Sequence, residues 1–229
     1  MSKGIVLFAH NNDAIDYVAQ AVFCCKKIKE HLKLPVTLIT SEDVKQDIFD
    51  NIIKIENPNT KQTRNMYDGE IRKNVLWSNQ SRSTVFDLTP YEETIVMDTD
   101  YIVENNTLLK AFQTKEDFLI NYDAQHIDFE SKMTSEMKYI SDTGIKMCWA
   151  TVFYFKKVGR VKNLFTLIDH IKQHWSFYRF RYQLKELTYR NDYAFSIAIH
   201  MMNGFTDSNW PNRLPVSYTH LTLPTSNSV

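Results

Sequence analysis

Glycine is scarce in this chain, with five residues among 229. Neither a G-x-x-x-x-G-K-[ST] loop nor a G-x-G-x-x-G turn can be read anywhere along it. Such loops let backbone N–H groups close around phosphates, so their absence excludes a P-loop kinase and a dinucleotide oxidoreductase. It also counts against a sugar-nucleotide pyrophosphorylase, which needs a Gly-rich loop after its first strand. Cysteine is as sparse: Cys24, Cys25 and Cys148, with no C-x-x-C pair. That excludes a disulfide framework and a cysteine zinc site, and reduced thiols fit a cytoplasmic protein. Net charge is absent too, with 27 Lys+Arg against 27 Asp+Glu. A neutral chain has no global field to attract nucleic acid or an anionic membrane surface. Any anionic ligand would need a local basic group or a metal. No apolar run is long enough to span a bilayer, and the opening MSKGIVLFAH is too short for a signal peptide. The expectation is a cytoplasmic protein with no membrane span and no nucleic-acid partner.

What is present is a globular composition, 43% hydrophobic, 13% aromatic and 24% charged, without repeats or low-complexity runs. Gly4–Ala9 is a short continuous apolar run, as expected of a strand covered on both faces. After the polar HNND, residues Ile15, Val18, Val22, Cys25 and Ile28 recur at helical spacing up to His31, and Pro35 closes the helix. Val36–Thr40 and Asn51–Ile55 read as further strands. This β-α-β order predicts an α/β fold with a mainly parallel sheet flanked by helices. Further on, Glu70–Phe86 reads as a helix, Thr94–Met97 as a strand, and Leu108–Phe112 as the start of a short helix. Asp117–Tyr122 and Ala150–Phe155 read as strands. A long helix starts near Val161, and a last one runs from Asp192 to about Asn203, stopped by Gly204. The polar stretch 124–143 divides a nucleotide-binding half, about 1–123, from an acceptor-side half, about 124–214.

The segment TIVMDTDYIV (94–103) carries the strongest chemical signal. Alternate residues of an extended segment point to the same side, so Asp98 and Asp100 can face one point. Two carboxylates held that close repel unless a cation lies between them, and an all-oxygen set suits Mg²⁺ or Mn²⁺ with phosphate oxygens. The pair follows an apolar strand, and open α/β sheets bind ligands at the carboxyl ends of strands. A turn with two solvated aspartates is the plainer reading of the spacing alone. Asp192, with Asn191, reads either as the cap of the last helix or as a functional carboxylate. HWSFYRFRYQL (174–184) interleaves aromatics with Arg179 and Arg181. It reads as a packed helix end with arginine heads at the surface, or as an acceptor-binding surface. Trp77 and Trp149 read as core. His10 reads as a base contact or as a cap for the first helix. His126, His170 and His174 form no metal spacing.

SRSTVFDLTPYEETIVMDTDYIVENNTLL, with RNDYAFSIAIH further on, resembles the donor-site segments of GT-A fold nucleotide-sugar glycosyltransferases, in the glycogenin/galactinol-synthase-like group and its phage or marine relatives. The resemblance implies Asp98 and Asp100 as metal and diphosphate ligands. It implies Ala9, His10 and Asn11 as the nucleotide-lining loop, and Arg82 facing the diphosphate or the sugar. WATVFYFKK (149–157) falls on the strand behind the sugar site. Asn191 and Asp192 fall at the start of the helix whose acidic residue approaches the donor sugar. The group's histidine ligand, in an H-x-x-G-x-x-K-P-W context, has no counterpart here, and His200 lies among apolar helix residues.

The implied reaction is Mn²⁺- or Mg²⁺-dependent transfer of a sugar from a nucleoside diphosphate, UDP being the usual carrier, to an acceptor hydroxyl. In it Asp192 serves as a general base or as a stabiliser of the cationic sugar. The alternatives are an inactive binding or virion-associated protein of this fold, and another nucleotidyl- or phosphotransferase using the same carboxylates. Pro215–Thr225, PVSYTHLTLPT, resembles a translated transposon-end adapter from DNA library preparation. Residues 215–229 are therefore expected to be a non-native tail on a single 1–214 domain.

Overall fold

A computed structural model describes residues 2–56, 63–68, 71–76, 80–122, 125–126, 138–185, 188–208, 210–215 and 219–220. Trp77 and much of the 124–143 stretch lie outside these residues. Six strands form the main sheet in the order β3-β2-β1-β6-β9-β7. They are β1 (Lys3–Ala9), β2 (Val36–Thr40), β3 (Asn51–Lys54), β6 (Glu93–Met97), β7 (Phe118–Asn121) and β9 (Trp149–Lys156). β3, β2, β1 and β6 are mutually parallel, whereas β9 runs antiparallel to both β6 and β7. The apolar runs of β1, β2, β6 and β9 are buried on both faces for the reason their sequence suggests, whereas β3, at the sheet edge, is largely exposed. Ile5, Leu7 and Ala9 of β1 pack with Ala21, Cys24, Cys25 and Ile28 of helix α1 (Tyr17–His31) on one face. Val6 turns to the other face, where helices α3 (Gly159–Gln173) and α5 (Asn191–Met202) supply Leu164, Phe165, Ile168, Phe195 and Ile199. All three cysteines are buried free thiols.

The entry to α1 is built from polar side chains. Asp16 caps the helix by accepting from Ala19 N–H at 2.9 Å, and Asn12 Oδ1 accepts from Ala14 and Ile15 N–H. The exit from the last helix is also as the sequence suggests, with Gly204 at φ +69°. Thr107–Gln113 is a 3-10 helix, and part of the aromatic–arginine stretch forms α4 (Trp175–Arg181).

Glu70–Phe86 is not one helix. Ile71–Leu76 is strand β5, paired antiparallel with β4 (Thr63–Asp68) in a separate two-stranded sheet. Helical structure begins only at Gln80, as a 3-10 turn to Thr84 that continues into α2 (Val85–Leu88). The hydrogen-bond partners of the 71–76 backbone lie across a hairpin rather than along a helix. A third sheet pairs β8 (Gln125–His126) with β10 (Thr219–His220).

Candidate functional site

The order of the main sheet creates a switch point. From β1 the chain builds outward to β2 and β3 on one side, while β6, β9 and β7 lie on the other. Leu7 of β1 is opposite Met97 of β6, so the carboxyl ends of these strands lie side by side. Crevices at such a reversal are where open α/β sheets take ligands. The segments leaving this edge are Ala9-His10-Asn11 after β1, Ser41-Glu42 after β2, and Asp98-Thr99-Asp100 after β6. Asn121 ends β7 at the same edge, and the amino end of β9 starts there.

A polar relay ties this edge together. Arg82, from the 3-10 turn, is 4% exposed. Its guanidinium pairs with Asp98 Oδ1 and donates a second hydrogen bond to the Ala150 carbonyl. The N–H of the same residue, Ala150, donates to Asp192 Oδ1 at 2.9 Å. Asp192 Oδ2 in turn accepts from Arg190 at 3.0 Å. A single residue of β9 therefore joins the two sequence-predicted carboxylates, Asp98 and Asp192. The β9 backbone can do this because its pairing slips there: Ile120 is opposite Phe153, but Asn121 is opposite Trp149. The irregularity frees Ala150 from a regular ladder with β7, and bulges of this kind re-aim groups beside functional sites. On the other flank of β9, Asp98 N–H donates to Thr151 O at 2.9 Å.

Asp98 and Asp100 do not lie on an extended segment. Tyr101 N–H bonds back to Asp98 O at 3.2 Å, so the two carboxylates sit on a turn after β6. The Asp98 side chain is 33% exposed and leans on Arg82, whereas Asp100 is exposed. Between them the hydroxyl of the buried Thr99 donates to Gln20 Oε1 of α1 at 3.2 Å. Among the described residues no group of three or more His, Cys, Asp or Glu side chains forms a metal cage. The available donor set at the turn is two carboxylates.

Arg82, expected to face the diphosphate or the sugar, lies buried beneath Asp98. Nor is Asp192 a cap. Arg190 is the N-cap of α5, no side chain makes the cap hydrogen bond, and the Asp192 carboxylate reaches across to β9 instead. Asn191 is buried and accepts from the Tyr189 hydroxyl at 3.2 Å. Ala9 is buried at the end of β1. Asn11 Oδ1 accepts from Val18 N–H at 3.0 Å, which commits that oxygen to the start of α1. His10 is buried, and its Nδ1 lies 3.0 Å from Ser41 Oγ, which itself donates to Glu42. Burial holds the His10 imidazole below its ordinary value of 6.5, with Glu42 opposing that shift. His200 is remote from the turn, in the last turn of α5 beside Phe205.

Sequence reasoning missed Ala150, Arg190 and Asn121. Ala150 acts through its backbone, which no residue type announces. Arg190 adjoins a selected pair, and a cation two positions before a carboxylate was the available clue. Asn121 is 6% exposed, and its amide nitrogen has no partner among the described residues. Only the orientation of β7 brings it to the site edge.

No protein-family model and no curated protein sequence matches this chain. Solved structures do. The galactosyltransferase LgtC, in complex with donor and acceptor sugar analogues, is similar with a TM-score of 0.54 at 12% identity, over 85% of this chain and 69% of that chain. Mouse xyloside xylosyltransferase 1, in its apo form, has a TM-score of 0.50 at 12% identity, over 89% of this chain and 83% of that one. The mixed, mainly parallel six-stranded sheet with flanking helices is the fold of GT-A glycosyltransferase structures.

Proposed function

We propose that this protein is a glycosyltransferase that moves a sugar from a nucleoside diphosphate, with UDP the favoured carrier, to an acceptor hydroxyl. The observation that carries the reading is the relay Asp98–Arg82–Ala150–Asp192 at the switch point of a GT-A fold. Asp98 and Asp100 fit Mn²⁺ or Mg²⁺. Arg82 engages Asp98 Oδ1, the Asp98 side chain is still 33% exposed, and Asp100 is exposed. Two carboxylates are also a fitting protein contribution for hard ions that fill their coordination with phosphate oxygens and water. Bound there, the ion supplies neutralising charge for the departing diphosphate. Arg82 is a positioning residue: from its buried place it fixes the direction of Asp98 and the height of the Ala150 peptide. Asp192, its carboxylate aligned by Ala150 and Arg190, places fixed negative charge where the sugar becomes cationic. The Asn121 amide donates to a sugar hydroxyl. His10 and Ser41 line the nucleotide end.

The test is release of UDP from a panel of UDP-sugars with Mn²⁺, for wild type and Asp192→Asn. Release that EDTA abolishes and Asp192→Asn reduces is the expected result. The inactive binding-protein reading has one observation in its favour, the lack of a third metal-binding side chain among the described residues. UDP binding without turnover of any sugar nucleotide would establish that reading instead. Pyrophosphate release from a nucleoside triphosphate would establish a nucleotidyltransferase.

A further inference from the structure

A second concave site lies on the same side chain scaffold, away from the turn that carries Asp98. It is a cavity of about 510 Å³ walled by Phe177, Tyr178, Arg181 and Tyr182 from α4 and its end, and by His200 and Phe205 from the end of α5. That volume is in the range of small-molecule sites, about 300–1,000 Å³. Aromatic carbon is left in solvent here to an unusual degree: Phe177 is 63% exposed, Phe205 62%, and Phe180 beside them 84%. Grouped exposed aromatics mark contact surfaces, whereas scattered ones do not. The rings are held in place. Phe177 meets Tyr178 edge to face, Tyr178 stacks on Tyr182 at 8° between planes, and Phe205 meets His200 edge to face.

The groove and the candidate site share α5. The segment before β9 runs antiparallel along α5. Ala150 contacts Asp192, then Cys148 N–H donates to Ser196 Oγ, and finally Ile145 and Thr143 line the groove with His200. Eight residues of helix separate Asp192 from His200, a rise of about 12 Å. Near the start of that path Tyr193 stacks on Trp175 of α4, 6.3 Å between centroids. Charge adds the discriminating feature. Arg181 is exposed at the groove, and among the described residues it joins no ion pair. Arg181 is the permanent cation among the groove's lining residues, and the nearby Asp207 is paired with Lys146 at 2.8 Å.

We propose that the groove binds an acidic sugar unit of the acceptor, about 12 Å along α5 from Asp192. Aromatic rings stack on the C–H faces of a pyranose, and a guanidinium fork matches a carboxylate or phosphate on the sugar. Single-stranded nucleic acid would also use rings and arginines. It is disfavoured because one arginine, Arg181, lines the groove of a protein with zero net charge, too little to follow a phosphate backbone. The assignment of this sugar to an acceptor rests on the glycosyltransferase reading; the binding of an acidic glycan does not.

The experiment is a glycan array carrying neutral, carboxylated and phosphorylated oligosaccharides, read with wild type, Arg181→Gln and Phe177→Ala. Both substituted side chains are exposed, so the variants keep the fold, which circular dichroism checks. Retention of carboxylated or phosphorylated glycans over neutral ones, reduced at least tenfold in both variants, is the expected result, and the two acidic classes identify the anion. Retention unchanged by Arg181→Gln, no retention of any acidic glycan, or displacement by oligothymidylate in preference to glycans would overturn the proposal. UDP binding with Mn²⁺, measured on the same wild-type sample, separates the two claims. Glycan binding without UDP binding removes the transferase reading and leaves the groove. UDP binding without glycan binding does the reverse.

Discussion

Asp192 shows how one side chain holds two roles that substitution can separate. Its Oδ1 satisfies the Ala150 N–H, and its charge faces the site edge at 17% side-chain exposure. Asp192→Ala leaves that N–H without its acceptor, at a cost of about 1–3 kcal/mol. Asp192→Asn can keep an oxygen acceptor for Ala150 N–H while it removes the charge and the acceptor for Arg190. Urea denaturation should therefore show Asp192→Asn less destabilised than Asp192→Ala, while UDP release falls in both. Equal stability loss in the two variants would show that the charge, and not the hydrogen bond, holds α5 to β9. Arg82 is the complementary case. Arg82→Met removes the donors to Asp98 and to the Ala150 carbonyl, and charge-assisted bonds of this kind contribute about 1.5–3 kcal/mol each. The expected result is a lower denaturation midpoint together with weakened nucleotide binding, because Asp98 loses its orientation.

At the scale of elements, the tightest constraint on the sheet is at Gly4 in β1. A β-carbon there would run into the ring of Tyr91, which is buried and accepts from the Thr37 hydroxyl at 2.9 Å. The ring cannot swing away without breaking that bond, so Gly4→Ala is expected to cost about 1–3 kcal/mol as overpacking. A thermal melt checks it, and an unchanged midpoint would mean that Tyr91 has room to move. Most elements were legible from the sequence because their apolar runs are buried on both faces, as in Gly4–Ala9, Val36–Thr40 and Ala150–Phe155. The β4–β5 hairpin was not, because Ile71 and Val75 recur at helical spacing. Yet a sequence signal is present: the pair Gly69-Glu70 is of the Gly-X kind that favours a turn over a helix interior. Asp98 and Asp100 were legible as candidates from an apolar strand ending in carboxylates. The Asp192–Ala150 bond was not, since it joins positions 42 residues apart through a pairing irregularity that no local pattern encodes.

For the whole molecule, stability should depend on pH in a definite direction. Burial lowers the pKa values of His10 and His200 from their ordinary 6.5. Asp207 opposes the shift at His200, as Glu42 does at His10. The unfolded chain then takes up protons before the folded one as pH falls below about 6.5, so stability declines toward the folded-state values and levels off beneath them. The thermal midpoint should be flat from pH 8 to about 7 and fall below about 6.5. A His10→Gln variant should fall less steeply over that window. Acid-driven loss of carboxylate pairs lies lower on the pH scale, so the two effects separate. No described helix is long and apolar enough to cross a membrane.

The central claim is that the turn after β6 holds a nucleoside diphosphate through a divalent ion. The most direct measurement is a thermal-shift titration of wild type and Asp98→Asn/Asp100→Asn with UDP, GDP and CDP, each with and without Mn²⁺. Ligand at about 100 times its Kd adds about 2.7 kcal/mol of stability, a shift of several degrees for a chain of this size. The account predicts that UDP raises the midpoint of the wild type only when Mn²⁺ is present, and that the double variant, folded by circular dichroism, does not respond. An equal response in the double variant, or none from any nucleotide in the folded wild type, would contradict it.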